Sequence, residues 1–268
     1  VIRASSRLRV GDVTTDPGDG PGQGSMTLDR VWTPLRVALP PRHPDRIDTR
    51  TDEVGVLEAL DSEEYHRAVV LGRPGSGKST VVSYRTHQLA AAALSRKVGA
   101  PAPIHVRLPS LAPTPDLDDI WIGVYEAYAG EKVDDRLTRG LVARLEAGTA
   151  CLLFDGLDEV QEEQLVNVRA VIELCAQAYP RAPLVVTCRS FDYAMDYPSR
   201  KLPFPTIELL PFELPQQLEY IEHWYSALSL LDSDRGLTQR RQNLQRTLED
   251  SPSLIEMGQT PLLLALMT

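Results

Sequence analysis

Short apolar runs recur along this chain and alternate with longer stretches of helical spacing. The runs at 68–71 (AVVL), 104–108 (IHVRL), 150–154 (ACLLF), 184–188 (LVVTC) and 206–210 (TIELL) predict five strands. Near-continuous apolar character marks strands buried on both faces, and strands separated by helices pair in parallel. Helices are predicted over 78–94 and 162–178, the second with Leu165, Val168, Val171, Ile172 and Cys175 on one face. Residues 117–147 carry helical patches with a break near Gly130. The expected fold is α/β, with a five-stranded, mostly parallel sheet covered by helices.

The pattern changes toward both ends. Residues 11–25 (GDVTTDPGDGPGQGS) are rich in turn formers and predict a mobile loop. Val31–Val37 reads as a short extended piece, 40–52 as an irregular connection and Glu53–Leu60 as a short helix. Beyond Pro211 the strand signal stops. Pro215 suits a first helical turn, after which Leu214, Leu218, Ile221 and Tyr225 share a face. Leu237, Leu244 and Leu248 predict a further helix, and Ser251-Pro252 precedes a terminal apolar one. Three regions follow: a flexible segment over 1–30, a main domain over 31–211 and a small helical subdomain over 212–268. A start at Val1 and an end within the apolar run Leu262–Met267 give the expectation of a fragment of a larger protein.

The chemistry centres on Gly72-Arg73-Pro74-Gly75-Ser76-Gly77-Lys78-Ser79, which fits G-x-x-x-x-G-K-[ST] between a predicted strand and a predicted helix. Backbone amides of such a loop point at phosphate oxygens, and the positive end of the helix adds to the attraction. Lys78 is expected to reach the β- and γ-phosphates, the Ser79 hydroxyl to coordinate Mg2+, and Thr80 to contact the α-phosphate. The run Leu152–Glu159 (LLFDGLDE) supplies the acidic half: Asp155 to hold Mg2+ through water, and Asp158 first or Glu159 second to orient or activate water. Arg189 directly follows the fourth strand, where a cation can sense or neutralise the γ-phosphate.

Composition narrows the classes. With 268 residues, 43% of them hydrophobic, the chain can bury a full core. A formal charge of -9 disfavours a broad nucleic-acid surface, and no apolar run has the length to span a membrane. Cys151, Cys175 and Cys188 lie in or beside apolar runs without metal-ligand spacing, the pattern of buried free thiols in a reducing, cytoplasmic setting.

GRPGSGKST with LLFDGLDEV and then VVTCRS resembles the NACHT family of signal-transduction NTPases, in the STAND class of AAA-like P-loop proteins. Leu209-Leu210-Pro211-Phe212, the helix around Tyr220–Tyr225 and Thr260-Pro261-Leu262-Leu263-Leu264 extend the likeness over about residues 31–268. The resemblance implies a nucleotide-binding domain over 31–211 with sheet order 2-3-1-4-5, and a helical lid over 212–268 truncated before a winged helix. It places Pro261 near the adenine, with residues around Val31–Leu35 or Ile47 as the other wall. ATP or ADP with Mg2+ is the implied ligand, held in a switch that hydrolyses slowly and self-associates on activation. Sensor and effector domains would lie outside this segment, and bacterial relatives serve in antiphage defence. The arginine- and proline-rich composition suggests an actinobacterial source. The rival expectation is a continuously cycling AAA-type motor or loader.

Overall fold

The computed structural model describes residues 27–40, 52–95, 100–111, 135–194, 201–231 and 236–268. The predicted loop over 11–25, the break near Gly130 and Ile47 lie outside these residues. A short helix α1 (Leu28–Val31) leads into β1 (Arg36–Ala38), β2 (Glu53–Gly55) and α2 (Val56–Asp61). The regular part then runs β3 (Arg67–Gly72), α3 (Lys78–Leu94), β4 (Ala102–Arg107), α4 (Asp135–Glu146), β5 (Ala150–Asp155), α5 (Glu162–Ala178), β6 (Leu184–Arg189), α6 (Ser190–Ala194) and β7 (Thr206–Leu209). Helices α7 (Leu214–Ser229), α8 (Leu237–Glu249), α9 (Pro252–Gly258) and α10 (Pro261–Met267) follow.

The expected sheet is corrected in size and in order. It has seven strands, β2-β1-β7-β3-β6-β5-β4, and is mixed. The strands β7, β3, β6, β5 and β4 pair in parallel, while β1 pairs antiparallel with both β7 and β2. The added strands escape the hydrophobic pattern because each is three residues long, and Glu53–Gly55 is a strand where the pattern predicts the start of a helix. Within the parallel part, β6 lies between β3 and β5. The expectation 2-3-1-4-5 instead put the first strand, β3, between β5 and β6. Strand β6 is bonded along both edges, Leu184–Arg189 to Arg67–Gly72 and Leu184–Val186 to Leu152–Phe154. Every one of its residues from Leu184 to Cys188 is buried, as a central position requires.

Alternation across the sheet divides the core in two. Leu152, Phe154, Leu184 and Val186 pack with Leu165, Val168 and Ile172 of α5. Cys151, Leu153 and Val185 face the other way, toward Val81, Val82 and Leu89 of α3 and toward Ile221 and Trp224 of α7. By the same parity Asp155 and Thr187 lie on the α3 side. Phe154 is fully buried one residue before Asp155. Phe154→Ala is therefore expected to cost about 3–5 kcal/mol, read as a lower midpoint in urea denaturation.

The helices after β7, called the lid below for their place over the glycine loop, are held by local signals. A reciprocal capping box of Glu213 and Gln216 opens α7, with Pro215 in its first turn. Gln216 Nε2 also donates to Pro34 O at 2.8 Å. The buried Gln217 donates through Nε2 to Phe212 O and Ile255 O, each at 3.0 Å, and so joins α7 to α9. All three cysteines are buried and unbridged. Among the described residues no helix is long and apolar enough to cross a membrane.

Candidate functional site

The glycine loop leaves β3 and enters α3 at Lys78. Gly75 and Gly77 have φ of 74° and 95°, a left-handed conformation that glycine adopts without strain. A Cβ on Gly75 would stand 3.0 Å from Thr260 Cγ2 and Leu262 Cβ; one on Gly77 would stand 3.0 Å from Leu35 Cδ1. The loop is thus gripped between the lid on one side and the segment before β1 on the other. Leu262 N donates to Gly75 O at 3.2 Å, a direct bond from lid to loop. The seventeen-residue α3 starts at the loop, so its dipole favours an anion there.

Lys78 bends back over the loop and donates from Nζ to Gly72 O at 2.8 Å and Arg73 O at 3.2 Å. Its pKa is lowered, chiefly because burial disfavours the charged ammonium; Arg189 adds to the fall, whereas Asp158 and Asp155 oppose it.

The carboxylates come from the end of β5. Asp155, only 7% exposed, accepts at Oδ1 from Ser79 Oγ at 3.2 Å and from Thr187 Oγ1 at 2.6 Å. Gly156, at φ 84°, turns the chain out of the strand into the one-turn 3-10 helix Leu157–Glu159. Asp158 is engaged on both oxygens by a single residue: Arg189 N donates to Oδ1 at 3.0 Å and Arg189 Nε approaches Oδ2 at 2.9 Å. Glu159 is freer, with Arg107 3.8 Å away and a half-exposed side chain.

These groups border one open cavity of about 740 Å³. Its lining includes Pro74, Gly75, Ser76, Gly77, Lys78, Ser79 and Thr80 from the loop, with Asp155, Asp158, Glu159 and Arg189 opposite, and Pro261 from the lid. Gly72 and Arg73 lie outside the lining, Gly72 buried beneath the loop and Arg73 exposed. Of the expected second wall, Val31, Trp32, Thr33 and Leu35 do border the cavity, and Leu28 joins them. Trp32 is braced by Tyr84 of α3, the rings stacked 4.0 Å apart with 7° between planes. One end of the cavity is therefore polar and charged, and the other is apolar and aromatic, with Tyr220 and Trp224 completing it.

Sequence reasoning missed Thr187, Tyr220 and Trp224 as parts of this site. Thr187 had a readable signal, being the one polar residue within the run Leu184–Cys188. The aromatic pair had none, because helical spacing there reads equally well as core.

A divalent cation suits the chemistry of Ser79 and Asp155. Both offer hard oxygen, and buried Asp155 has hydroxyl donors but, among the described residues, no ion pair of its own. No group of three His, Cys, Asp or Glu side chains able to hold a metal occurs among the described residues. The ion that fits is one that keeps water and phosphate oxygens for the rest of its shell, as Mg2+ does.

A strand–glycine loop–helix unit sharing a cavity with the carboxyl-end acids of a parallel sheet defines a P-loop NTPase. The NACHT domain profile matches residues 66–228, and the chain belongs to that family. Its members are nucleotide-dependent regulatory NTPases that bind ATP with Mg2+. No curated protein matches the chain. A solved structure, "Structure of Drosophila ORC bound to DNA", is similar over 96% of this chain at 16% identity and a TM-score of 0.46. The match covers 63% of that chain, so this one spans under two thirds of its length.

Proposed function

We propose that this chain is an ATP/ADP-dependent conformational switch with slow ATP hydrolysis. The observation that carries the reading is the shared cavity, in which the loop, the acids of β5 and the lid meet, with Leu262 N bonded to Gly75 O. A ligand that reshapes the loop cannot leave the lid unaffected.

Phosphates would lie on the loop amides, with Lys78 turning from the Gly72 and Arg73 carbonyls to the β- and γ-phosphates. Pro261 and Trp32 stand at the apolar end, where a purine base would be desolvated. Bound between Ser79 and Asp155, Mg2+ would neutralise charge on the phosphate oxygens. Arg189 is the group best placed to distinguish ATP from ADP. Drawn to a γ-phosphate, it would release Asp158, whose oxygens it otherwise occupies. A freed Asp158 can take the proton from a water that attacks the γ-phosphorus, giving ADP and inorganic phosphate; Glu159 is the alternative acceptor. A carboxylate held on both oxygens is a poor base, which accords with slow turnover.

Self-association in the ATP state, further copies of the chain and separate sensor and effector modules as partners, and a role in cytoplasmic signalling or antiphage defence complete the proposal. Its test is mass in solution with ADP and with a non-hydrolysable ATP analogue, for the wild type and for Arg189→Ala. The wild type is expected to assemble only with the ATP analogue, and the variant to respond alike to both ligands. Equal mass of the wild type in both states would overturn the switch.

A further inference from the structure

Because β6 lies between β3 and β5, its side chains occupy the gap between the glycine loop and the acids. Arg189 fills that gap at the surface, and Thr187 fills it inside. We infer that Thr187 is a positioning residue for the divalent cation, holding Asp155 in the orientation that the cation needs; this rests on the nucleotide-binding reading above.

The hydroxyl of Thr187 is fully buried in a strand whose neighbours Val185, Val186 and Cys188 are apolar and also buried. A buried hydroxyl is costly unless its bonding capacity is met, and valine has nearly the same shape without that cost. Here the capacity is met in a directed way. Gly156 N donates to Thr187 Oγ1 at 2.8 Å, so Oγ1 is an acceptor on that side. Its single proton is then left for Asp155 Oδ1, 2.6 Å away. The direction Gly156 N–H to Thr187 O–H to Asp155 is thereby fixed.

Two hydroxyls meet at the same oxygen, but they are not equivalent. Ser79 is exposed and belongs to the loop, so its oxygen is open to a cation. Thr187 has no exposed surface and reaches Asp155 from the neighbouring strand, at the floor of the cavity. Asp155 is thus held from behind while Ser79 is free to change partner. A residue of this kind tunes a metal site without touching the metal, and loss of such a partner typically weakens metal affinity about 10–100-fold.

The test uses the full chain and a non-hydrolysable ATP analogue, with affinity measured in Mg2+ and in EDTA, and Tm recorded in parallel. In the wild type Mg2+ is expected to strengthen binding. Thr187→Val should cut that enhancement about 10–100-fold while affinity in EDTA stays within about twofold, and Thr187→Ser should restore it. A Thr187→Val protein that loses Tm but keeps the full Mg2+ enhancement would reduce Thr187 to a structural role and overturn the inference. Equal losses in Mg2+ and EDTA would do the same. If the wild type binds the analogue in neither condition, the nucleotide-binding reading itself fails, a result distinct from both.

Discussion

Lys78→Ala is expected to weaken ATP binding by more than about a hundredfold, or about 3 kcal/mol, measured by calorimetric titration. Among the described residues the ammonium is the only lysine head in the cavity lining, and charge-assisted bonds to phosphate are among the stronger polar contacts. Its removal also deprives Gly72 O and Arg73 O of their shared donor, so the loop loses its internal brace. A Lys78→Met variant also lacks the donor but keeps an unbranched apolar stem, so it should match alanine in affinity and melt nearer the wild type only by the packing that the stem retains. Burial lowers the Lys78 pKa below its ordinary 10.5, and phosphate attracts the protonated form. Affinity should therefore decline with rising pH through a window below 10.5, and Lys78→Ala should lack that decline.

Asp158→Ala is expected to leave nucleotide affinity within a few-fold of the wild type while lowering phosphate release about 100- to 10,000-fold, the range for loss of a general base. Binding should survive because Asp158 spends its hydrogen bonds on Arg189 and makes none to the loop among the described residues. Without that partner Arg189 is free to meet a γ-phosphate at once, so the variant should retain ATP and remain assembled. Single-turnover assays with Glu159→Gln in parallel identify the base. Full turnover by Asp158→Ala, with loss confined to Glu159→Gln, would transfer the role to Glu159.

The strands of the parallel sheet were legible because a chain buried on both faces must be apolar at nearly every position. Their order was not. Leu152–Phe154 and Leu184–Val186 are equally apolar, and nothing in either run names its neighbour; the decision lies in which edges bond, and those bonds join residues far apart in sequence. Of the outer strands, β1 overlaps the extended piece read at Val31–Val37 but its pairing in the sheet was not legible, and β2 was read as the start of a helix, since three residues give too little alternation to recognise. At the site, the glycine loop could be read because its chemistry is local, with eight consecutive residues needing each other. The grip of Arg189 on Asp158 spans 31 positions, and that of Thr187 on Asp155 spans 32. Such pairs follow from strand order, so an error in the order hides them.

The bond from Leu262 N to Gly75 O has a further consequence for timing. It ties the first turn of α10 to the tip of the glycine loop across 187 positions of sequence, without passing through the sheet. Under the proposed switch, loop and lid would then move as one gate: arrival of a ligand and displacement of the last helix would be the same event, not a cause followed by a relay.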